Sequence, residues 1–236
     1  MAKHKVLSTK KLEPSLLVKA KQNGIEITEQ EFISVEPIVS QEKQEEISES
    51  LENDRAVLIF TSSNAVNAIK HHFHKIIERK FYCIGGKTKN ALLNFVAEEI
   101  IVATADYGKG LAQKIIADDV KEAVFFCGNK RRDKLPGMLK EAGVQVKEVV
   151  VYETVETPEK FTEDFDAVLF FSPSAVQSFF SANQLNSETV CFAIGETTAE
   201  SIAQYSKNKI LVSASPAQKK IVDAVLQHFE NSTSKK

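Results

Sequence analysis

No run of about eighteen consecutive apolar residues, the length a membrane helix needs, occurs anywhere in this chain. The opening stretch MAKHKVLSTKK also lacks the apolar core of a secretory leader, so the cytosol is the expected compartment and no membrane partner is expected. An excess of one charge is missing too. Thirty Lys and Arg stand against 32 Asp and Glu, a net charge of −2, so no global field draws the protein to nucleic acid, and any anion it binds must be held locally. Cysteine is scarce: Cys83, Cys127 and Cys191 show no CxxC spacing, and each sits in an apolar stretch, as small core residues do. Two phosphate signatures fail as well. The Gly-Lys-Thr at 86–88 has Phe81 where a phosphate loop needs its first glycine, and GxGxxG is absent, which disfavours a nucleotide-dependent transferase.

What is present is ordinary globular composition: 236 residues, 43% hydrophobic and 26% charged, enough for one large domain or two small ones. Short β-branched and aromatic runs alternate with segments of helical period, the pattern of a parallel sheet covered by helices. Strands are expected at 6–8, 25–27, 32–35, 57–60, 81–84, 100–102, 124–126, 144–146, 149–152, 168–171, 190–194 and 210–212. Helical stripes appear at Val66, Ile69, Phe73 and Ile76, at Leu92, Phe95 and Val96, and at Ile221, Val222, Val225, Leu226 and Phe229. A charged helix is expected over 41–52, and the final NSTSKK reads as a frayed tail.

The chain also repeats itself. VLIFTSSNAV ends at Val66 and VLFFSPSAV ends at Val176, 110 residues later, and the same spacing separates Gly85 in YCIGGKTKNAL from Gly195 in CFAIGETTAESI. A weaker echo spaces Gly24 and Gly143 by 119 residues. Two diverged α/β copies imply two lobes with a cleft between them, where ligands of such folds sit at the carboxyl ends of strands.

The turns after the repeated strands carry the candidate chemistry. Ser62 or Ser63 in one copy, and Ser172 or Ser174 in the other, can cap the first helical turn, with Pro173 suited to the first helical position. The same helix starts can present backbone amides to a carboxylate or phosphate. Gly85 to Thr88 and Gly195 to Thr198 form a second matched pair of turns. Lys130, Arg131 and Arg132 come directly after Cys127-Gly128 and Asn129 at another strand end, where substrate anions would approach. Tyr152 closes the apolar run VVVYET, either as a core residue or as a phenolic proton donor. His71, His72 and His74 read as an exposed helix face and not a metal site, because no carboxylate or cysteine at ligand spacing completes the set.

In order and spacing, VLIFTSSNAV, YCIGGKTKNAL, ADYGKGLA, GNKRRDKLPGMLKEAGV, VVVYET, VLFFSPSAV and CFAIGETTAESI resemble the uroporphyrinogen-III synthase family over nearly the whole chain. The resemblance implies an α/β fold of two flavodoxin-like lobes, each a parallel sheet flanked by helices, joined by two linker strands. Residues 1–37 and 155–236 would form one lobe and 38–154 the other. It implies cyclisation of hydroxymethylbilane, a linear tetrapyrrole, with loss of water and inversion of its last ring, and no metal or cofactor. It further implies a monomer and a transient hand-off of substrate from the upstream synthase.

Carried over by position, the family's catalytic tyrosine is Tyr152. Its hydroxyl turn falls on Thr61, Ser62, Ser63 and Asn64, its second-lobe serine turn on Ser172, Pro173, Ser174 and Ala175, its Gly-x-Thr-Thr-like turn on Gly195, Thr197 and Thr198, and its first strand end on Thr9 and Lys10. The residues themselves add Gly85, Lys87 and Thr88, and Cys127, Gly128, Lys130 and Arg131, as substrate-binding candidates at strand-end turns. The family commonly has Thr-Arg where this chain has Thr9-Lys10, which leaves a point charge in place of a bidentate contact. A non-catalytic two-lobed protein that closes on a small anionic metabolite is the alternative reading; it would have no use for an acid at Tyr152.

Overall fold

The computed structural model describes residues 3–76 and 78–233. In chain order the first elements are strand β1 (His4–Ser8), helix α1 (Pro14–Gln22), strands β2 (Ile25–Glu29) and β3 (Ile33–Pro37), helix α2 (Gln41–Glu52), strand β4 (Val57–Phe60) and helix α3 (Ser63–Ala68). Then come β5 (Phe81–Ile84), α4 (Lys87–Leu92), β6 (Ile101–Ala105), α5 (Gly108–Ala117), β7 (Glu122–Gly128), α6 (Lys134–Glu141) and the long β8 (Gln145–Glu156). The last are β9 (Ala167–Phe170), α7 (Pro173–Ala182), β10 (Val190–Ala193), α8 (Glu196–Tyr205), β11 (Ile210–Val212) and α9 (Gln218–Thr233). Among the described residues no helix is long and apolar enough to cross a membrane.

The chain divides into two compact units. The first takes the chain up to Ser34 and again from Val155 onward; the second is Val35–Thr154. The first unit holds a five-stranded sheet in the order β11-β10-β9-β1-β2, and the second a sheet in the order β3-β8-β7-β4-β5-β6. The pairs β1–β2, β1–β9, β9–β10 and β10–β11 are parallel, as are β4–β5, β4–β7, β5–β6 and β7–β8. Strands β3 and β8, neighbours in the sheet, carry the chain across the unit boundaries.

The repeat in the sequence survives as matched register. Val57 lies beside Ala123 and Ala167 beside Val6; Leu58 pairs with Phe81 as Val168 pairs with Cys191. Without β3, the second sheet reads β8-β7-β4-β5-β6 and the first reads β2-β1-β9-β10-β11, the same layout with the chain entering it at a different strand. Both are doubly wound orders. The glycines of the weaker echo, Gly24 and Gly143, close α1 and α6 at positive φ (74° and 83°). The strands, however, match at 117 and not 119 residues, Val6 with Ala123. By that register β7 continues three residues past the equivalent of Ser8, the end of β1.

Each sheet is buried on both faces, as near-continuous apolar strands demand. In the second unit Leu58, Phe60, Phe81, Val124 and Phe126 pack with Ile47, Val66, Ile69 and Phe73 on one side. Val57, Ile59, Tyr82 and Phe125 pack with Leu111, Ile115 and Leu139 on the other. In the first unit Val6, Leu169 and Phe192 pack with Leu16, Val222 and Val225, and Leu7, Val168 and Phe170 pack with Val176, Phe179 and Ile202. Each large side chain so buried contributes about 1.5–3 kcal/mol.

Several sequence expectations need correction. The runs at 144–146 and 149–152 are one strand, β8, because Lys147 and Glu148 continue the extended chain with no glycine or proline to break it. The stripe Val66, Ile69, Phe73 and Ile76 is buried but is not one helix. Helix α3 stops at Ala68, and residues 70–75 tighten into a 3-10 turn, consistent with the poor helix propensity of its histidines. His72 is correspondingly buried at 9% exposure, with its Nε2 2.9 Å from Gln44 Oε1, and burial pushes its pKa down. Helix α4 ends at Leu92, so Phe95 and Val96 lie in the turn beyond it, where Phe95 stacks on Phe73 at 4.8 Å. Of the expected tail, residues 231–233 belong to α9 and 234–236 lie outside the described residues. Arg79, which no pattern singled out, is buried and donates to the carbonyls of Leu51 and Ala56, tying the end of α2 to the start of β4.

Ser178 on α7 is fully buried, and its hydroxyl has no hydrogen-bond partner among the described residues. A hydroxyl that gave up water without gaining a partner is a net cost. Ser178→Ala is therefore expected to raise unfolding free energy by about 1 kcal/mol. Urea titration with an unchanged slope reads this directly; a clear loss of stability would mean that the hydroxyl is bonded after all.

Candidate functional site

Apart from β3, the strands of each sheet are parallel, so the helix-bound turns that follow them leave from the same edge. In the second unit that edge carries the turns after β4, β5, β6 and β7, and the end of β8. In the first unit it carries the turns after β1, β9, β10 and β11. The candidate residues thus form two local clusters, one per unit.

The hydroxyl turns are first of all caps. Ser62 Oγ accepts from Asn64 N at 3.1 Å, and Ser172 Oγ accepts from Ala175 N at 3.2 Å, the same job 110 residues apart. Pro173 occupies the first turn of α7, as expected. Neither α4 at Gly86 nor α8 at Gly195 has a side-chain cap, so the orphan donors of those first turns are not met that way. Glu196 sits in the first turn of α8, where its own carboxylate competes with any incoming anion.

Burial separates the candidates sharply. Thr9, Thr88, Cys127, Ala175 and Thr198 are buried at 5% exposure or less, so their side chains serve the protein interior. Thr9 is a stitch: its hydroxyl donates to Leu169 O at 2.9 Å and accepts from Phe171 N at 3.3 Å, fixing the end of β1 to the end of β9. Lys10, Asn64, Lys87, Lys130, Pro173 and Thr197 are exposed at the same turns, while Thr61, Ser62, Ser63, Gly85, Ser172, Ser174 and Gly195 are half-buried. Burial pushes the thiols of Cys83 and Cys127 up to about 11 and that of Cys191 to about 12, so none is a thiolate nucleophile at neutral pH.

Tyr152 is half-buried near the end of β8, with its ring over the buried Gly128 at the end of β7. Its hydroxyl makes no hydrogen bond among the described residues. Of the basic run beside it, Arg131 is engaged: its Nε pairs with Glu148, and its Nη1 lies 2.6 Å from Asp133 Oδ1. Lys140 reaches the other oxygen of Glu148 at 2.7 Å. The structure therefore brings Gly128, Arg131 and Tyr152 together around the β7–β8 end.

Three further residues stand at this edge. Asn129 bonds β8 on either side of Glu153, through its own N–H to Tyr152 O (3.2 Å) and through Oδ1 to Thr154 N (2.9 Å). Glu148 anchors two cations. Tyr107, 65% exposed, begins α5 on the same edge. An asparagine directly after a strand-end glycine is a turn signal that could have marked the first; nothing local marked Glu148.

Comparison with known proteins gives a consistent picture. A family model described as uroporphyrinogen-III synthase HemD matches residues 15–223. The uroporphyrinogen-III synthase of Saccharomyces cerevisiae is 29% identical over 180 residues, and the match spans 64% of this chain and 64% of that protein. Among solved structures, uroporphyrinogen-III synthetase from Helicobacter pylori has a TM-score of 0.69 at 15% identity, covering 95% of this chain and 99% of that one. A mutant uroporphyrinogen III synthase from the extremely thermophilic bacterium Thermus thermophilus has a TM-score of 0.65 at 16% identity, covering 99% and 100%. At those identities the likeness is one of fold.

Glu148 yields a pH prediction. Burial pushes its carboxyl up, but hydrogen bonds from Lys140 and Arg131, together with their charges, outweigh burial and hold it below its ordinary value. A carboxyl depressed in the folded state contributes its full stability above the unfolded value, near pH 4.3, and loses it as pH falls through the folded value. Glu148→Gln should therefore unfold at lower urea than the parent at pH 7, with the gap closing between about pH 5 and pH 3. A gap that stays constant across that range would show that the ion pairs contribute nothing.

Proposed function

The chain belongs to the uroporphyrinogen-III synthase family, and on that premise we propose that it closes hydroxymethylbilane into uroporphyrinogen III, with loss of water and inversion of the last ring. The observation that carries the site assignment is the hydroxyl of Tyr152, half-buried at a carboxyl-end edge and unclaimed by any described protein group. A phenol keeps its proton at neutral pH and can donate it as a carbon–oxygen bond breaks. The departing hydroxyl leaves as water, and a cation remains on the tetrapyrrole. Ring closure is then governed by geometry, since the chain end must reach its own first ring in one orientation, so positioning supplies most of the acceleration and the acid the rest.

The substrate is rich in carboxylates, which exposed lysines and helix starts without side-chain caps can hold at strand-end turns. Lys10, Lys87 and Lys130 are exposed there, and the starts of α4 and α8 lack side-chain caps. We assign the buried Thr9, Thr88, Cys127 and Thr198 to holding those turns in shape. The protein acts as a monomer that accepts its labile substrate by transient hand-off from the enzyme that makes it. A passive metabolite-binding protein would leave the open phenol of Tyr152 without a role.

Two measurements test this reading. Incubated with hydroxymethylbilane and then oxidised, the protein should give porphyrin isomer III well above isomer I, the product of spontaneous closure; no excess of isomer III rejects the enzyme. Tyr152→Phe should lower kcat by about a hundredfold, in the range of one lost general acid, with an unchanged far-ultraviolet dichroism spectrum. A variant as fast as the parent would take Tyr152 out of the mechanism.

A further inference from the structure

Strands β7 and β8 pair in regular parallel register from Glu122 beside Gln145 to Cys127 beside Val150. The register then slips, and Gly128 faces Tyr152, which leaves Val151 as an extra residue in β8. A bulge changes the side-chain alternation. Val149 and Val151 pack into the cluster under α2 and α3, while Val146 and Val150 pack on the opposite face. Simple alternation would send Tyr152 to the face of Val150. Instead Tyr152 packs against the same cluster as Val151, its neighbour in sequence.

Two residues hold this irregular end. A Cβ on Gly128 would overlap Cε2 and Cζ of Tyr152 and lie 2.8 Å from its hydroxyl oxygen, so only glycine leaves room for the ring. Past the bulge, Asn129 faces Glu153. Its N–H donates to Tyr152 O at 3.2 Å, as a parallel ladder requires. The next ladder bond would take the main-chain carbonyl of Asn129, but Thr154 N donates instead to Asn129 Oδ1, at 2.9 Å. The side chain stands in for the backbone, and the main chain is free to turn away, with Arg131 N bonding back to Gly128 O at 3.2 Å. The strand stays fixed on both sides of Glu153 although its partner strand has ended.

We propose that Gly128 and Asn129 are positioning residues for Tyr152, Gly128 by seating the ring and Asn129 by locking the β8 backbone that carries it. The inference rests on the functional reading above and assigns neither residue a contact with substrate. Gly128 thereby moves from a substrate-binding candidate to the floor beneath the acid.

The test uses the whole protein labelled with 3-fluorotyrosine. Four tyrosines contribute to the fluorine spectrum, and Tyr152→Phe assigns one by its loss. Gly128→Ala should shift the Tyr152 resonance and leave the other three in place. Asn129→Ala should lower kcat by about tenfold with KM little changed, and Asn129→Asp, which keeps the acceptor oxygen, should recover most of that loss. In the Tyr152→Phe background, Asn129→Ala should cost nothing further. Should Gly128→Ala fail to fold, the Asn129 series carries the test alone. An unmoved Tyr152 resonance, equal losses from Asn129→Ala with and without the phenol, or no recovery by Asp would each overturn the assignment. A parent protein that forms no excess of isomer III overturns instead the functional reading, and with it the catalytic sense of the positioning, while the fluorine shift still reports whether the ring sits on Gly128.

Discussion

A parallel strand pair cannot be joined by a tight turn, and that constraint governs where this protein can put its chemistry. Each strand must be followed by a crossover long enough to return to the same starting edge, here a helix. All strand-to-helix turns of a sheet then gather at the carboxyl edge, and the opposite edge receives the returning chain. Both faces are covered by the crossing helices, so β4 and β9 are apolar throughout and carry no functional side chain. Chemistry is left to the residues immediately after the strands. The same layout occurs twice, built once from Val35–Thr154 and once from the two ends of the chain, so the constraint applies twice.

Within those turns the side chains divide their labour by burial. Ser62 and Ser172 satisfy helix donors, each worth about 1 kcal/mol, and Thr9 bonds two strand ends together. Thr9 spends its only donor on Leu169 O, whereas Ser62 and Ser172 merely accept and each keeps an O–H to donate. The exposed cations Lys10, Lys87 and Lys130 act in water, where their reach at physiological salt is about 8 Å. With a net charge of −2, the protein has no long-range attraction for anions to add to such short-range fields. Arg131 is different: with its guanidinium on Glu148 and Asp133, it shapes the end of β7 more than it advertises a charge.

Much of the fold was legible because the strands are buried on both faces. Apolar runs such as 57–60 and 81–84 have no alternative environment, and the 110-residue repeat fixes their partners. Legibility failed where local pattern and tertiary packing part company. The stripe at Val66, Ile69, Phe73 and Ile76 obeys helical spacing, yet the chain tightens at residue 70 and still buries all four. His72 looked like one of three exposed imidazoles and is instead packed against Gln44, a contact 28 residues away that spacing does not encode. At the site, sequence located the turns but not which hydroxyls are caps, since a cap and an anion-binding serine have the same identity and the same neighbours. Asn129 lay inside a run noticed for its charges, and its work depends on a register slip that only the paired strands define.

That slip also explains why the tyrosine sits on β8 and not on a turn. Strand β7 runs on past Phe126, the partner of Phe60 at the end of β4, so the β7–β8 pair projects beyond the edge where its neighbour has already turned. A projecting pair loses the ladder on one side and with it part of its rigidity. One extra residue, Val151, rotates Tyr152 to the face of the cluster beneath α2 and α3, where the ring gains apolar support. The absence of a side chain at Gly128 removes the steric bar to that position, and Asn129 restores the missing ladder bond. A loop tyrosine such as Tyr107, 65% exposed, has none of these supports and would spend entropy to reach any one geometry. A single phenol held by strand, bulge and glycine is fixed in place without a charged residue to hold it.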